Sequence, residues 1–195
     1  MPAGGRVTSE LWWLQACSRF ARWQKELGTA SPLRKIAVNV SSKQFNEATF
    51  VEKVLRAVSR NGIDPSQLEL ELTESIIIDN LDNVSEKMRL LRTHGIGISI
   101  DDFGTGYSSL SYLKKLPFSS LKIDRSFTQD IQTNADDAEL IRTIITIAHS
   151  FHLNVIAEGV ETAKQYAFLN ENRCSCFQGY YCSPPLPSRE FSELL

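Results

Sequence analysis

The sequence predicts an α/β protein whose parallel strands surround a common centre, as in a (β/α) barrel. Strands and helices alternate along the whole chain, and each strand is apolar on one face and small or polar on the other. Strands of an open doubly wound sheet are covered by helices on both faces and are therefore apolar on both. One-sided strands favour a barrel, because the apolar face meets the helices and the polar face points inward.

The composition is that of an ordinary single-domain protein. The chain has 195 residues, 42% of them hydrophobic, and a formal net charge of −2. Nucleic-acid binding needs a basic face, which a net charge of −2 does not favour. A membrane-spanning helix is not expected either, because no apolar run reaches the roughly 18 residues of a span. Residues 1–7 lack the apolar core of a secretory signal, and four cysteines do not form a disulfide framework. We expect one cytoplasmic domain over residues 1–195.

The first half of the chain is predicted to hold three helices and three strands. Helices follow from apolar residues at spacings of three and four, and strands from alternation with period two, as in the stretch LELELT. Gly28, Gly62 and Gly95 mark the ends of the helices. In chain order the predicted elements are helix Leu11–Leu27, strand Ile36–Ser41, helix Glu47–Arg60, strand Leu68–Thr73, helix Asp82–His94 and strand Ile96–Asp102.

The second half continues the alternation. A glycine-bearing loop over residues 102–109 opens it, either as a turn with a helix cap or as a backbone cradle for phosphate. The predicted elements that follow are helix Ser109–Leu116, strand Ser120–Asp124, helix Ala135–Phe151, strand Asn154–Glu158, helix Thr162–Asn170, strand Cys176–Tyr181 and helix Ser188–Leu195.

Polar residues occupy the last inward-facing position of every predicted strand. In a barrel these positions meet at the carboxyl ends of the strands, where the chemistry of such folds takes place. They recur about every 28 residues, which is the length of one strand–loop–helix–loop unit. These residues are Asn39, Glu71, Asp101, Lys122, Glu158 and Gln178.

Carboxylates that converge with one lysine are costly to bury unpaired. Oxygen ligands of this kind favour Mg²⁺, Mn²⁺ or Ca²⁺, and Asp102 adds a carboxylate beside Asp101. Two divalent ions roughly 3.5–4 Å apart support phosphodiester hydrolysis, with a lysine able to assist. The alternative is that Glu69 and Glu71 form buried ion pairs with Lys122 and that no metal binds.

Six motifs follow one another in a characteristic order. The longest is DDFGTGYSSL over residues 101–110. The others are Asn39-Val40-Ser41, Glu71-Leu72-Thr73-Glu74, Lys122-Ile123-Asp124, Glu158-Gly159-Val160-Glu161 and Gln178-Gly179-Tyr180. From about residue 11 to residue 187 the chain resembles the EAL-domain family of bacterial cyclic-di-GMP phosphodiesterases. The resemblance implies a modified TIM barrel that linearises cyclic-di-GMP to pGpG with Mg²⁺ or Mn²⁺ in second-messenger signal transduction.

The resemblance also implies a set of metal ligands. Asn39, Glu71 and Asp101 match family ligands of a first metal ion. Asp101, Asp102 and Glu158 match positions around a second. A site with two metal ions is therefore expected.

Further roles follow from the same resemblance. Lys122 matches the lysine that contacts the attacking water, and with Glu158 it forms the expected catalytic pair. Glu161 and Gln178 match residues that support the site. Glu74 matches a glutamate that steadies the Asp-Phe-Gly loop and couples the site to a dimer interface. A homodimer is expected, with sensory or cyclase domains fused or separate.

One departure from the family pattern bears on activity. The chain has no Glu-Ala-Leu motif, whose glutamate is a metal ligand in the family; by family spacing it lies upstream of residue 1, together with the first two strands. Six strands are therefore expected. A catalytically inactive cyclic-di-GMP-binding or dimerising module is the alternative function. A third interpretation, from the pattern alone, is a metal-dependent enolising enzyme with Lys122 as its base.

Three further features receive structural interpretations. Cys174, Cys176 and Cys182 lack a nearby fourth ligand, which disfavours a zinc site. Tyr180 and Tyr181 can stack on a guanine, although packing is the default. The aromatic face of the first helix is read as core, with an exposed association surface expected if the preceding strands are absent.

Overall fold

A computed structural model describes residues 12–28, 31–76, 81–105 and 110–195. A single sheet of six parallel strands runs through it in the order β1-β2-β3-β4-β5-β6. The strands form a half-barrel with flanking helices, which confirms the predicted α/β class and strand number. The strands are β1 Ile36–Val40, β2 Leu68–Thr73, β3 Gly97–Phe103, β4 Ser120–Ile123, β5 Asn154–Ala157 and β6 Cys176–Phe177.

Nine α-helices occur among the described residues, together with a 3₁₀ turn over Pro65–Gln67. None of these helices is long and apolar enough to cross a membrane. The helices are α1 Trp12–Leu27, α2 Ser42–Asn46, α3 Phe50–Asn61, α4 Leu81–Thr93, α5 Leu110–Lys115, α6 Arg125–Gln129, α7 Ala135–Ser150, α8 Ala163–Glu171 and α9 Ser188–Leu194.

Alternation along each strand divides the sheet into two faces. The apolar positions of the central strands are almost completely buried in the layer between sheet and helices, as Leu70, Ile98 and Leu121 show. The register pairs Glu71 with Ser99, so polar residues of neighbouring strands share the opposite, inner face. A register shift by one residue would exchange the two faces, and burial of the apolar face therefore fixes the pairing.

Side-chain caps explain where the helices depart from the prediction. The predicted helix Glu47–Arg60 begins later, at Phe50, because a separate short helix, α2, precedes it. Ser41 and Gln44 form a capping box at the start of α2. Helix α6 was not predicted; Asp124 caps it by accepting a hydrogen bond from the Ser126 amide at 3.0 Å, which ends β4 at Ile123.

Strand β6 is also shorter than the predicted Cys176–Tyr181. After Phe177 the chain turns at Gly179, where a Cβ atom would lie 2.2 Å from the carbonyl oxygen of Val160. The Val160 amide donates to Gln178 O and its carbonyl accepts from the Tyr181 amide. These bonds join the turn to the segment after β5 in place of a longer strand.

Three aromatic side chains of α1 are packed against the rest of the protein, whereas the side chain of Trp12 lies outside the described part of the structure, so the expected association surface stays a prediction. Trp13 and Phe20 are buried. Trp23 packs against Phe191 of α9, with ring centroids 5.0 Å apart, and donates through Nε1 to Ser192 Oγ at 2.8 Å. Helices from the two ends of the chain therefore meet beside the β1 edge of the sheet.

Candidate active site

Lys122 lies at the centre of a group of acidic side chains at the carboxyl ends of the strands. Its Nζ is 2.9 Å from Glu71 Oε2, 3.1 Å from Asp101 Oδ1 and 2.6 Å from Glu158 Oε1. The lysine side chain is only 3% exposed. Strands β2, β3 and β4 and the residue after β5 each supply one member, so the convergence predicted from strand spacing is present.

Of the two ion pairs expected in the alternative interpretation without metal, the structure contains one. Glu71 does pair with Lys122, but Glu69 pairs with Lys35, whose Nζ is 3.3 Å from Glu69 Oε2. Lys122 instead takes Asp101 and Glu158 as its other partners.

Asn39 lies beside Glu71 in the register of β1 and β2 and its side chain is exposed. Its amide oxygen faces carboxylate oxygens of Glu71 and Asp101, and a half-turn of the amide would let the nitrogen donate to them at 3.2 and 3.1 Å. An amide oxygen among carboxylates is unfavourable unless a cation lies between them. Asn39 can therefore act as a donor without a cation or as an oxygen ligand with one.

Asp102 joins the group through a local irregularity of β3. The register between β3 and β4 shifts between Ile100 and Phe103, and Asp102 has a φ of 56°, in the left-handed region. Successive strand residues normally face opposite sides, but here both aspartates reach one place. Carboxylate oxygens of Asp101, Asp102 and Glu158 lie within 4.8 Å of one another, which is close enough to hold a metal ion.

Asp124 is a member of the site that sequence reasoning left without a role. Its carboxyl lies near enough to Asp102 to raise the pKa of that residue, and it accepts a hydrogen bond from the Ser126 amide at the start of α6. The sequence contains a signal for this residue, because Asp124 is the last member of the motif Lys122-Ile123-Asp124. Its position follows from the cap of a helix that was not predicted.

Burial raises the pKa values of three acidic side chains in the cluster around Lys122. Burial raises the pKa of Glu71 and of Glu158 above the ordinary glutamate value, although Lys122 opposes the shift. The pKa of Asp102 is raised by burial and then by the charges of Asp101 and Asp124. Negative charge is therefore incompletely neutralised at the site.

Lys122 responds in the opposite direction. Burial alone would lower its pKa, but hydrogen bonds and charges from Glu158, Glu71 and Asp101 raise it above the ordinary lysine value. The raised pKa favours the protonated form of Lys122, which disfavours its use as a base in an enolising enzyme. One ammonium group facing several carboxylates leaves charge for a divalent cation to neutralise, and the oxygen donors fit Mg²⁺ or Mn²⁺.

The three remaining predicted residues make no side-chain bond to this group among the described residues. Glu74 is buried, and its two carboxylate oxygens find no hydrogen-bond partner there. The part of the glycine-bearing loop it was expected to steady, residues 106–109, lies outside the described residues. Glu161 and Gln178 are exposed, and Gln178 contributes backbone bonds to Ala157 and Val160.

Near β6, Cys174 is buried and Tyr181 packs against its neighbours, whereas Tyr180, Cys176 and Cys182 are exposed. Tyr181 stacks on Tyr166 with centroids 5.6 Å apart, whereas Tyr180 is 64% exposed. The Cys174 thiol is buried, which raises its pKa to about 11, and it donates to the carbonyl oxygens of Val155 and Cys176. A thiol in this state is a poor nucleophile and a poor metal ligand.

Comparison with known proteins identifies the fold. A family model described as the EAL domain matches residues 8–185. The chain belongs to the EAL domain family. It is 45% identical over 161 residues to the cyclic di-GMP phosphodiesterase NbdA of Pseudomonas aeruginosa, which covers 83% of this chain and 21% of that protein. The bifunctional diguanylate cyclase/cyclic di-GMP phosphodiesterase MucR of the same organism is 41% identical over 176 residues, 90% of this chain and 25% of MucR.

Solved EAL structures agree with the half-barrel. The MucR phosphodiesterase in complex with c-di-GMP superposes with a TM-score of 0.87 at 41% identity, over 93% of this chain and 73% of that one. The EAL domain of Mycobacterium smegmatis DcpA gives a TM-score of 0.89 at 35% identity, over 96% and 84%. EAL relatives of this chain are named cyclic di-GMP phosphodiesterases, and the chain spans about a fifth to a quarter of their length.

Proposed function

We propose that this chain is a metal-dependent phosphodiesterase that hydrolyses cyclic-di-GMP to linear pGpG. The observation that carries the proposal is the Lys122 cluster, in which Glu71, Asp101 and Glu158 surround one buried ammonium group. It lies at the carboxyl ends of parallel strands, where barrel enzymes place their chemistry. The activity named for the EAL relatives supports the same conclusion.

The metal is proposed to be Mg²⁺ or Mn²⁺, at two adjacent positions. Asn39, Glu71 and Asp101 would hold one ion, and Asp101, Asp102 and Glu158 the other; the second group already has its oxygens within 4.8 Å of one another. When bound, such ions lower the pKa of water and stabilise charge on phosphate oxygens.

The protein's own groups divide the remaining work. Lys122 is kept protonated by its carboxylate partners. It would donate a hydrogen bond to the attacking water once one of these carboxylates turns from the ammonium group to a metal ion. The raised pKa of Glu158 makes it a stronger base than an ordinary glutamate, so it can accept the proton that the water loses. The water oxygen bonds to phosphorus, and one bond between phosphorus and a 3′ oxygen breaks. That oxygen takes up a proton from solvent, to which Glu158 returns the proton that it accepted.

Supporting roles are proposed for three further residues. Glu74 would steady the loop that follows Asp102 and couple the site to a dimer interface. Glu161 and Gln178 would support the site from the segments after β5 and β6.

A second candidate is a cyclic-di-GMP-binding or dimerising module without catalysis. The specific observation in its favour is that β1 lies at the edge of the described sheet, where Asn39 is exposed. Among the described residues, the ligands of the ion on the Asn39 side come only from β1, β2 and β3. A cation with fewer protein ligands is bound more weakly, which would reduce hydrolysis, whereas nucleotide binding could persist.

The cellular setting completes the proposal. The chain would act as one domain in bacterial cytoplasmic signalling, as a homodimer, with sensory or cyclase domains fused or separate. Support comes from MucR, a relative described as bifunctional cyclase and phosphodiesterase. Sedimentation velocity at several concentrations tests the dimer.

One experiment separates the two functions. The purified chain is incubated with cyclic-di-GMP and Mn²⁺, with EDTA as the control, while binding is measured by calorimetry and pGpG by chromatography. Metal-dependent pGpG supports the phosphodiesterase. Tight binding without product supports the binding module, and the absence of both contradicts both proposals.

A further inference from the structure

Gln165 uses its whole side-chain amide to join two segments that carry site residues. It lies in the first turn of α8 and is buried. Its Oε1 accepts from the backbone amides of Glu161 and Thr162, each at 2.8 Å. Its Nε2 donates to Thr128 O at 3.1 Å and to Gln129 O at 3.5 Å. A capping box explains only the bond to Thr162.

The first of these segments, residues 158–162, is the loop after β5. It begins with Glu158, whose Oε1 is 2.6 Å from Lys122 Nζ. Its path is restricted at Gly159, which has a φ of 67° and approaches Arg125 so closely that a Cβ atom would lie 2.5 Å from Arg125 Cβ. The loop therefore touches the start of α6 at one end and reaches Gln165 at the other.

The second segment is α6, which begins directly after Lys122, Ile123 and Asp124. A helix of five residues has little stability of its own, and its last carbonyl groups have no partner within the helix. Gln165 Nε2 supplies donors to two of these carbonyls. These two bonds fix the end of α6, whose N-cap residue Asp124 lies close enough to Asp102 to raise its pKa.

We infer that Gln165 is a positioning residue that sets the placement of Glu158 relative to Lys122 and Asp102, by fixing α6 and the loop after β5 to each other. The inference rests on the proposed function, because its consequence is metal binding by that site. Gln165 touches none of the reacting groups and acts through the backbone of its two segments.

Two variants separate this role from helix capping. Gln165→Glu keeps an acceptor for the Glu161 and Thr162 amides, as in an ordinary capping box, but sets a carboxylate against Thr128 O and Gln129 O. Gln165→Leu removes both functions. Gln132→Leu is the matched control, because exposed Gln132 lies in the same region and its side chain makes a long bond of 3.4 Å to Thr162 Oγ1. A retained melting temperature for Gln165→Glu shows that the variant folds.

Two readouts decide the outcome. In the metal-free chain we expect the ¹⁵N resonance of the Lys122 ammonium to move in Gln165→Glu, and Mn²⁺ affinity measured by calorimetry to fall about 10-fold or more, as for other groups that orient metal ligands. Gln132→Leu should change neither. Unaltered Mn²⁺ affinity in a folded Gln165→Glu variant overturns the inference even if the fold loosens.

Failure of the proposed function gives a different result. A wild-type chain that binds no Mn²⁺ and forms no pGpG contradicts that function. The Lys122 resonance then judges the positioning role alone, and an unmoved resonance in Gln165→Glu overturns it.

Discussion

Two glutamates two residues apart on β2 end in different environments. Glu69 and Glu71 both lie on the inner face and both are buried. Glu69 pairs with Lys35, whose side chain is 50% exposed, whereas Glu71 shares the 3% exposed Lys122 with two other carboxylates. In both environments a glutamate pairs with a lysine. Convergence of several strand ends on one ammonium group makes the site.

The largest effect should come from removing the central cation. Lys122→Met leaves Glu71, Asp101 and Glu158 without their shared partner, so the metal-free chain should lose about 3–5 kcal/mol of unfolding free energy. Hydrolysis should fall by about 10²–10³-fold, the usual cost of losing one donor to the reacting groups. Urea unfolding and pGpG chromatography measure the two.

Lys35→Met is the matched control. The half-exposed Lys35 stabilises its partner Glu69 only weakly. We therefore expect the unfolding free energy to change by about 0–1 kcal/mol and the activity to be retained. Equal effects of the two substitutions would remove the contrast between the two pairs.

Neutral replacements of the two glutamates should separate them by activity. Glu71→Gln takes a charged ligand from the cation site, and we expect hydrolysis to fall by more than the roughly 10–100-fold lost with outer supporting groups. Glu69→Gln should retain activity within a factor of about three, because Glu69 lies outside the cluster. A comparable loss of hydrolysis in both variants, measured at saturating Mn²⁺, would mean that Glu69 also takes part in metal binding.

The site should also show a pH-dependent response to metal. The pKa values of Glu71, Glu158 and Asp102 are raised in the folded chain, so their contribution to stability is present at low pH and is lost as pH rises through the folded values. Mn²⁺ offsets this loss. At a concentration 100 times its dissociation constant it should add about 2.7 kcal/mol at pH 7.5.

At pH 5 protons compete with the metal, and the stabilisation should be smaller. Thermal unfolding with Mn²⁺ and with EDTA at both pH values checks this. An equal increase at both would place the cation elsewhere.

The smallest change is expected from Ser99→Ala. Ser99 is buried on the inner face beside Glu71, and its hydroxyl has no partner among the described residues. Removing an unpaired polar group should leave the unfolding free energy within about 0.5 kcal/mol or raise it slightly. Destabilisation beyond about 1 kcal/mol would show that the hydroxyl does contribute to the cluster.

The comparison also shows how far the sequence predicts the structure. The period of LELELT predicts β2 with its observed bounds and its inner face, because a strand places alternate residues on opposite sides. Strand spacing also brings Glu71, Asp101 and Lys122 together. Neither signal contains the partner of Glu69, since Lys35 precedes β1 and is close only after the strands pair.

The Asp102 arrangement lies beyond the sequence for a similar reason. It depends on an irregular register after Ile100 and on a left-handed residue that is not glycine. Its contact with Asp124 depends on the cap of α6, a helix too short to show hydrophobic periodicity. Local patterns predict which residues face inward, whereas tertiary contacts determine how adjacent carboxylates share one place.

Mn²⁺ titration of the metal-free chain by calorimetry at pH 7.5 tests most directly whether convergence at the strand ends creates a divalent-cation site. We expect Mn²⁺ to bind the wild-type chain and Glu69→Gln with equal affinity, and to bind Glu71→Gln at least about tenfold more weakly. Absence of binding to the wild-type chain, or equal affinity for all three proteins, would contradict the account.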